Sequence, residues 1–285
     1  MEMLLPDKLK ELWQSVQDGR LDWEKFDAEQ ERLLDEYKAT WTEALILNGQ
    51  PDLTRSLVSE IASSVGSTDL AEVERRCRAG VTDVKGEWEA SVSRGDSVER
   101  FYDQSEAYIY DLMWWQTLAD DNTPLAYVMA LQFAEGHKCR SHLDFGAGVG
   151  SGSILFARHG FEVSLADISS TLLDFSRRRL TNRGIAAKLI DLKTTDLPEQ
   201  AYDFVTAMDV FEHLAHPKAA VDQLCQAMKP GGFLFGRFNG EEDADRPQHI
   251  VKDFEPTFAR MRDVGLVEVW RDEWLWGHQV FRKRS

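Results

Sequence analysis

A run of glycines in the middle of the chain has the spacing of a ligand-binding turn. The apolar stretch His142–Phe145 predicts a short buried strand, and apolar residues from Ser151 onward predict a helix directly after the turn. Glycine allows positive φ and leaves room for a ligand against the main chain. Because a helix N-terminus presents free N–H groups and a positive dipole end, strand, turn and helix together predict a nucleotide site. The turn has a glycine at every second position: Gly146, Gly148, Gly150 and Gly152.

Acidic residues follow the strands that come after this turn. The predicted strand 161–166 ends at Asp167, about twenty residues past the turn, where a carboxylate can bind both hydroxyls of a ribose. Two later predicted strands end at Asp191 and Asp209. Because strands alternate with helices, the pattern predicts a doubly wound parallel sheet with a ligand crevice along the carboxyl ends of its strands.

Two histidines lie where this crevice is expected. His213 follows the fourth predicted strand, and His249 lies between the fifth strand and the predicted helix 255–264. An imidazole titrates near neutral pH, so His213 can take a proton from a hydroxyl or amine. For His213 the alternative is a structural role, in which the ring caps the loop and packs.

The spacing of the glycines distinguishes two classes of nucleotide. A dinucleotide fingerprint starting at Gly146 requires Gly or Ala where this chain has Ser151. The sequence DFGAGVG, Asp144 to Gly150, instead resembles the first motif of the class I S-adenosylmethionine-dependent methyltransferases. Later segments resemble further motifs of that family in the same order: LADIS, LIDL, DVFEHLAHP and MKPGGFLF. The resemblance covers residues 137–285. Members of the family often carry a histidine at the position of His249 that faces the acceptor, so the resemblance implies His249 as the second candidate base.

The resemblance implies a Rossmann-like sheet of seven mostly parallel strands with an antiparallel last strand. It implies S-adenosylmethionine as cofactor, with Asp144 and the glycine turn at the methionine portion, Asp167 at the ribose and Asp191 at the adenine. Asp196 competes with Asp191 for the last role. The residues implied to contact the cofactor are Asp144, Gly146, Ala147, Gly148, Gly150, Asp167, Ile168, Asp191, Leu192 and Asp209.

Three candidate metal ligands follow the fourth strand within one helical turn. Asp209, Glu212 and His213 are spaced i, i+3 and i+4. This spacing resembles the metal-binding ExxEH of small-RNA 2′-O-methyltransferases and ubiquinone-pathway O-methyltransferases, with aspartate replacing the first glutamate. A divalent ion there would orient acceptor oxygens and lower their pKa. The RNA enzymes add a histidine that His249 can supply, but the motif around it differs, so we expect no resident metal.

The composition is that of an acidic protein with a full core. The chain has 285 residues, of which 43% are hydrophobic. Its three cysteines form no metal or disulfide pattern, and it lacks both a membrane-spanning run and a signal peptide, so we expect a cytoplasmic protein without a membrane partner. The net charge is −16, and residues 1–120 carry 26 acids against 13 bases, which argues against a nucleic-acid partner.

Residues 1–120 are expected to form a helical unit separate from a catalytic domain at 121–285. Apolar residues recur at steps of three and four in 23–47 and 53–65, which predicts amphipathic helices. The unit can act as a cap over the crevice, as a homodimerisation element or as a partner-binding domain. Analogy with the family favours the cap.

An aromatic stretch, 101–115, lies directly before the predicted catalytic domain. Such side chains can stack on a planar ligand, although they are equally suited to a core between domains. Tyr108 and Trp115 from this stretch, together with Phe211, are the residues predicted to contact the acceptor.

These features predict transfer of a methyl group to a hydroxyl or amine of a small molecule, by in-line displacement with a histidine as general base. Two alternatives remain. A nicotinamide-dependent oxidoreductase is disfavoured by Ser151. A non-catalytic protein would bind the cofactor, or a partner, without turnover.

Overall fold

The computed structural model describes residues 3–284. Within this range the strands form one seven-stranded sheet that helices flank. Its strands are β1 (Ser141–Phe145), β2 (Glu162–Asp167), β3 (Lys188–Asp191), β4 (Tyr202–Ala207), β5 (Met228–Gly236), β6 (Leu266–Arg271) and β7 (Gln279–Lys283). They lie in the order β3-β2-β1-β4-β5-β7-β6. β1 to β5 pair in parallel, whereas β7 is antiparallel to both β5 and β6. The predicted mostly parallel seven-stranded sheet is confirmed.

Helices occupy most of the chain before the first strand. Four of them begin at side-chain caps: Asp22, Asp52, Asp69 and Ser97. Each cap accepts a hydrogen bond from a backbone N–H that the helix start leaves unpaired, so local sequence sets these boundaries. The helices are α1 (Leu5–Gln17), α2 (Trp23–Leu45), α3 (Leu53–Val65), α4 (Leu70–Arg94), α5 (Val98–Gln104) and α6 (Ala107–Trp115).

Two hydrophobic cores flank the sheet. The helices of the second half are α7 (Ala126–Gly136), α8 (Ser151–Arg158), α9 (Ser170–Asn182), α10 (Pro217–Ala227) and α11 (Glu255–Asp263). One core joins α7, α8 and α9 to one face of the sheet, and the other packs α10 and α11 on the opposite face. The carboxyl ends of β1 to β4 therefore open between two layers of helices, as in other doubly wound sheets.

The helices before residue 120 share the first of these cores. Trp41 of α2 is fully buried and stacks on Tyr127 of α7, with ring centroids 5.7 Å apart. α2 also packs on α8, and α3 packs on α9. The apolar faces of α2 and α3, which the sequence indicates only through regularly spaced apolar residues, thus pack on α7, α8 and α9. The division at residue 120 stays a prediction, and across it the apolar core is continuous.

The sequence predicts MKPGG as a turn followed by a strand at 232–238, and a last strand at 274–281, but both starting points were wrong. β5 begins at Met228, because MKPGG joins the strand through a shift in its register with β4. The last strand begins only at Gln279, because backbone N–H groups before it turn toward the carboxylate of Asp272. Among residues 3–284, no helix is both long and apolar enough to cross a membrane.

Candidate active site

The glycine turn joins β1 to α8 through three left-handed residues. Gly146, Gly148 and Gly150 have φ angles of 68°, 53° and 76°. A Cβ atom at Gly146 would lie 2.6 Å from a methyl carbon of Val210, so both conformation and space require glycine there. Gly152 differs from the prediction: it lies inside α8, where a Cβ would meet the Tyr127 ring at 2.2 Å, so its role is helix packing.

Asp167 links the glycine turn to the end of β2. Its carboxylate accepts hydrogen bonds from the N–H groups of Gly148 and Ser169, each at 2.9 Å. Burial raises the pKa of Asp167, and these two hydrogen bonds oppose the rise. The predicted ribose ligand therefore lies beside the turn, together with Ala147, whose N–H donates to Ala166 of β2 at 3.2 Å.

Asp144 lies beneath the turn and is fully buried. Its carboxylate accepts hydrogen bonds from the hydroxyls of Ser153 and Thr206, both at 2.9 Å. Burial raises its pKa to about 7, against the effect of these bonds. Asp144 thus links β1 to α8 and β4. It would affect cofactor binding indirectly, by holding the glycine turn in place.

His142 completes this buried network. Its Nε2 lies 2.8 Å from the hydroxyl of Thr206, and its ring stacks on Phe156 with centroids 3.8 Å apart. Burial lowers its pKa to about 3, so the folded protein holds a neutral ring at a pH where the unfolded chain binds a proton.

Replacing His142 by glutamine is expected to flatten the pH dependence of stability. Below pH 6.5 His142 binds a proton in the unfolded state but not in the folded state. The wild type therefore loses stability as the pH falls from 6.5 toward 3. At pH 5 this contribution is about 2 kcal/mol. Between pH 7.5 and pH 5, the free energy of unfolding measured with urea should fall by about 2 kcal/mol less in the variant than in the wild type. His159→Gln, on the surface beside Glu135, should keep the wild-type slope.

The predicted adenine side of the crevice lies at the ends of β2 and β3. The N–H of Leu192 donates to the carbonyl of Asp167 at 3.0 Å. Asp191 lies 3.8 Å from the Nζ atom of Lys193, and that ammonium donates to the carbonyl of Ile168 at 2.8 Å. The structure brings the three predicted residues together and adds Lys193, which the sequence did not single out.

Helices α5 and α6 lie across the crevice, and we call this pair the roof. Its contacts reach from the glycine turn and α9 to the loops after β4 and β5. The contacts are Leu112 near Gly148, Asp103 with Ser170 and Lys193, Asp111 with Arg246, and Tyr102 with His213. The end of the helical unit nearest the sheet is therefore part of the crevice wall.

His213 lies in a single helical turn after β4, beneath the roof. Its Nδ1 is 2.7 Å from the hydroxyl of Tyr102 and 3.3 Å from the backbone carbonyl of Gln248. Since a carbonyl only accepts hydrogen bonds, this geometry favours a proton on Nδ1 and a free lone pair on Nε2. Burial lowers the pKa of His213 to about 3, so the ring is neutral at physiological pH.

The second predicted base lies against the first. The rings of His213 and His249 meet edge to face with centroids 4.7 Å apart. Burial, and next the charge of Arg246, lower the pKa of His249 to about 4. Two neutral imidazoles therefore share one side of the crevice.

The candidate metal ligands that the structure brings together differ from the predicted set. One ligand atom each of Glu212, His213 and His249 lies within 4.8 Å of the others. The Oε2 atom of Glu212 is buried without a hydrogen-bond partner, and burial followed by the charge of Asp209 raises the pKa of this carboxyl. Asp209 instead forms an ion pair with Arg237 at 3.1 Å, and His249 takes its place among the candidate ligands.

The three predicted acceptor residues lie in different surroundings. Tyr108 is buried beside Tyr102, with ring centroids 5.4 Å apart, and its hydroxyl forms no hydrogen bond of normal geometry. Trp115 is half-buried at the end of α6 and donates to Asp121 at 3.3 Å. Phe211 is fully buried in the second core, where it packs on Phe238, so the structure places it in the core and not on the crevice wall.

Sequence reasoning did not single out Tyr102 as a partner of His213. The residue belongs to the aromatic stretch already noted, but 111 positions separate it from His213. No periodicity within one helix or strand can report a contact of that kind, because the contact depends on how α5 crosses the sheet.

The strand order, the antiparallel β7, the glycine turn and the acid at the end of β2 together define a Rossmann-like nucleotide-binding domain. Residues 117–274, more than half of the chain, match the family described as "Methyltransferase domain". The chain belongs to this family, the class I S-adenosylmethionine-dependent methyltransferases, as its motifs predicted. Family membership assigns S-adenosylmethionine as the cofactor, and the left-handed glycines beside the Asp167 carboxylate fit it.

Curated relatives match part of the chain. The ubiquinone biosynthesis O-methyltransferase of Photorhabdus laumondii is 31% identical over 130 residues, which are 43% of this chain and 54% of the relative. That of Azoarcus sp. is 32% identical over 134 residues, 43% and 55% of the two chains. The demethylmenaquinone methyltransferase of Clavibacter sepedonicus is 34% identical over 92 residues, 32% and 37% of the two chains. The chain spans about half the length of the first two relatives.

Solved structures also resemble part of the chain. The [4+2]-cyclase SpnF has a TM-score of 0.47 at 16% identity, covering 56% of this chain and 82% of its own. A methyltransferase from Aquifex aeolicus has a TM-score of 0.42 at 18% identity, covering 50% and 80%.

Proposed function

We propose that this protein transfers the methyl group of S-adenosylmethionine to a small-molecule hydroxyl or amine, and that a phenolic hydroxyl of a quinone-type ring is the first acceptor to test. The observation that carries the proposal is the shared crevice: the glycine turn with Asp167 and the neutral histidine pair lie under one roof. The names of the relatives, which refer to ubiquinone and menaquinone, support the acceptor class.

Different residues of the chain would bind the cofactor and remove the acceptor proton. The cofactor supplies a methyl group already activated by its sulfonium, so the protein must align the acceptor and exclude water. The turn and Asp167 would bind the cofactor, with Ile168, Asp191, Leu192 and Asp209 at its rim. The Nε2 atom of His213 would take the acceptor proton while Tyr102 and the Gln248 carbonyl hold the ring. His249 would be the second base.

We also propose that residues 1–120 act as a cap. The contacts of the roof with the turn, α9 and His213 support this role over that of a free partner-binding unit. Dimerisation through these helices stays a separate prediction.

Incubation with labelled S-adenosylmethionine and a panel of catechols, hydroquinones and aryl amines tests the proposal. We expect methylated product from at least one hydroxylated ring. Binding of S-adenosylhomocysteine without product from any acceptor would favour the non-catalytic alternative, and binding of NAD in its place would favour an oxidoreductase.

His213→Ala is expected to lower kcat for the best acceptor by at least about a hundredfold, because general-base catalysis typically contributes that much. With pKa values of about 3 and 4 for His213 and His249, protonation should not lower kcat until the pH falls below about 5. The measurements are kcat and the dissociation constant of S-adenosylhomocysteine, followed from pH 5.5 to 8. Full activity in both His213→Ala and His249→Ala would refute the base, and so would a loss of activity centred near pH 6.5.

We expect activity without a resident metal. Asp209, one of the three predicted ligands, pairs with Arg237 at 3.1 Å instead. Dialysis against EDTA, followed by elemental analysis and an activity assay, should leave kcat unchanged. Loss of activity that Mg²⁺ or Zn²⁺ restores would instead assign a metal to Glu212, His213 and His249.

A further inference from the structure

A buried ionic cluster joins α3 to α9 beside the glycine turn. Glu60 of α3 forms ion pairs with Arg179 at 3.3 Å and with Arg183, and all three side chains are 1–2% exposed. Burial alone would raise the pKa of Glu60, but the two arginines bring it below its ordinary value, so the carboxylate stays charged. Arg183 also donates to the carbonyl of Leu45 at the end of α2.

Arg179 extends from this cluster to the turn itself. Its Nη1 donates to the carbonyl of Val149 at 2.7 Å and to the hydroxyl of Ser151 at 2.6 Å. That hydroxyl donates in turn to the side chain of Gln116, just after α6. The contacts form an unbroken path from Glu60 to the turn.

These contacts orient the peptide groups of the turn. Because a peptide unit is planar, holding the Val149 carbonyl also directs the N–H of Gly150. Ser176 of α9 holds the Gly148 carbonyl in the same way, at 2.8 Å. The N–H of Gly150 donates to the carbonyl of Ala147 at 2.9 Å, which closes the turn. Because the glycines on both sides of Val149 have little conformational preference of their own, the shape of the turn depends on such contacts.

The cost of such a cluster suggests a role beyond stability. Burying three charges is expensive, and an apolar cluster of similar size often stabilises a protein as well or better. Charge-assisted hydrogen bonds, however, impose a direction that apolar contacts lack. A ligand site that relies on backbone N–H groups benefits from that direction.

We propose that Glu60 is a positioning residue of the cofactor site, which acts through Arg179 to hold the Val149–Gly150 peptide, and with it the closed glycine turn, in the conformation that the cofactor site needs. Helix α3 of the N-terminal helices is then part of the S-adenosylmethionine site. The inference rests on the proposed function only in the identity of the cofactor.

Calorimetric titration with S-adenosylhomocysteine at 10 °C tests this role in the full chain. Glu60→Gln removes the charge that anchors Arg179 and should raise Kd about tenfold, the effect of one weakened charge-assisted hydrogen bond. Ser151→Ala, which leaves the ionic cluster intact, should raise Kd about threefold. Asp203→Asn is the matched control, since Asp203 binds Arg140, Ser141 and Lys229 at the opposite end of β1 and should cost stability without changing Kd.

Hydrogen exchange of the amides of residues 148–152 provides a second readout that global destabilisation does not reproduce. We expect faster exchange there in Glu60→Gln and not in Asp203→Asn. If Glu60→Gln does not fold, Glu60→Asp, which keeps the charge but shortens its reach to Arg179, takes its place and should also raise Kd and speed the exchange of the turn. Unchanged Kd and unchanged turn exchange in the folded variants would overturn the inference. Absence of S-adenosylhomocysteine binding by the wild type would overturn the proposed cofactor instead, and the exchange data would still test whether Glu60 holds the turn.

Discussion

Replacing Asp167 by alanine is expected to weaken binding of S-adenosylhomocysteine by at least about a hundredfold, since two hydrogen bonds to a charged group are lost. The variant loses the carboxylate predicted to bind the ribose hydroxyls. It also loses the acceptor that holds the N–H groups of Gly148 and Ser169, each at 2.9 Å. Isothermal calorimetry at neutral pH measures the change in Kd directly.

Glu162→Ala is the matched control for this experiment. Glu162 is an exposed acid at the opposite end of β2 from Asp167, and its removal changes the net charge equally. We expect wild-type affinity in that variant. An equal loss of affinity in both variants would show that general electrostatics, and not a contact with Asp167, governs binding.

Replacing Glu60 by alanine is expected to lower the free energy of unfolding by about 3–5 kcal/mol, the usual result of removing one partner of a buried ion pair. Arg179 and Arg183 would be left buried with no carboxylate between them. Each would keep backbone partners, at Val149 and Leu45, but these carbonyls do not neutralise the charge. Urea unfolding followed by circular dichroism gives the change.

Glu36→Ala provides the comparison on the surface. Glu36 pairs with Arg32 on the exposed side of α2, and its loss should change stability by less than about 1 kcal/mol. A loss of that small size in Glu60→Ala would mean that water reaches the cluster and that the arginines are not desolvated. Glu60→Gln, which keeps the shape of the side chain, should lie between the two.

The elements and the cofactor motifs could be read from the sequence because each is encoded over a short span. The apolar run before Gly146, the alternating glycines and the acid at Asp167 specify a strand, a turn and a second strand through local conformational preference. Their order along the chain then limits the sheet to few topologies, since parallel crossovers have one hand. The family and the sheet class were therefore predictable before any contact was known.

Contacts between distant segments could not be predicted in this way. The pairing of Glu60 with Arg179 spans 119 positions, and that of Tyr102 with His213 spans 111. Each residue is unremarkable in its own helix, and each acquires its role only when the α3 and α5 helices pack on the sheet domain. The same holds for His249, which replaces Asp209 among the candidate metal ligands because the loop after β5 folds back onto the turn after β4.

Burial explains the remaining differences. The sequence indicated that Asp144, Phe211 and the histidines belong near the crevice, but it could not show on which side of the backbone each side chain lies. The tertiary structure buries Asp144 and Phe211 beneath the crevice floor and leaves His213 and His249 as neutral rings. Local sequence therefore encodes the architecture of a cofactor site. Tertiary packing determines which side chains meet there and in which charge state, because both depend on desolvation by segments far apart in the chain.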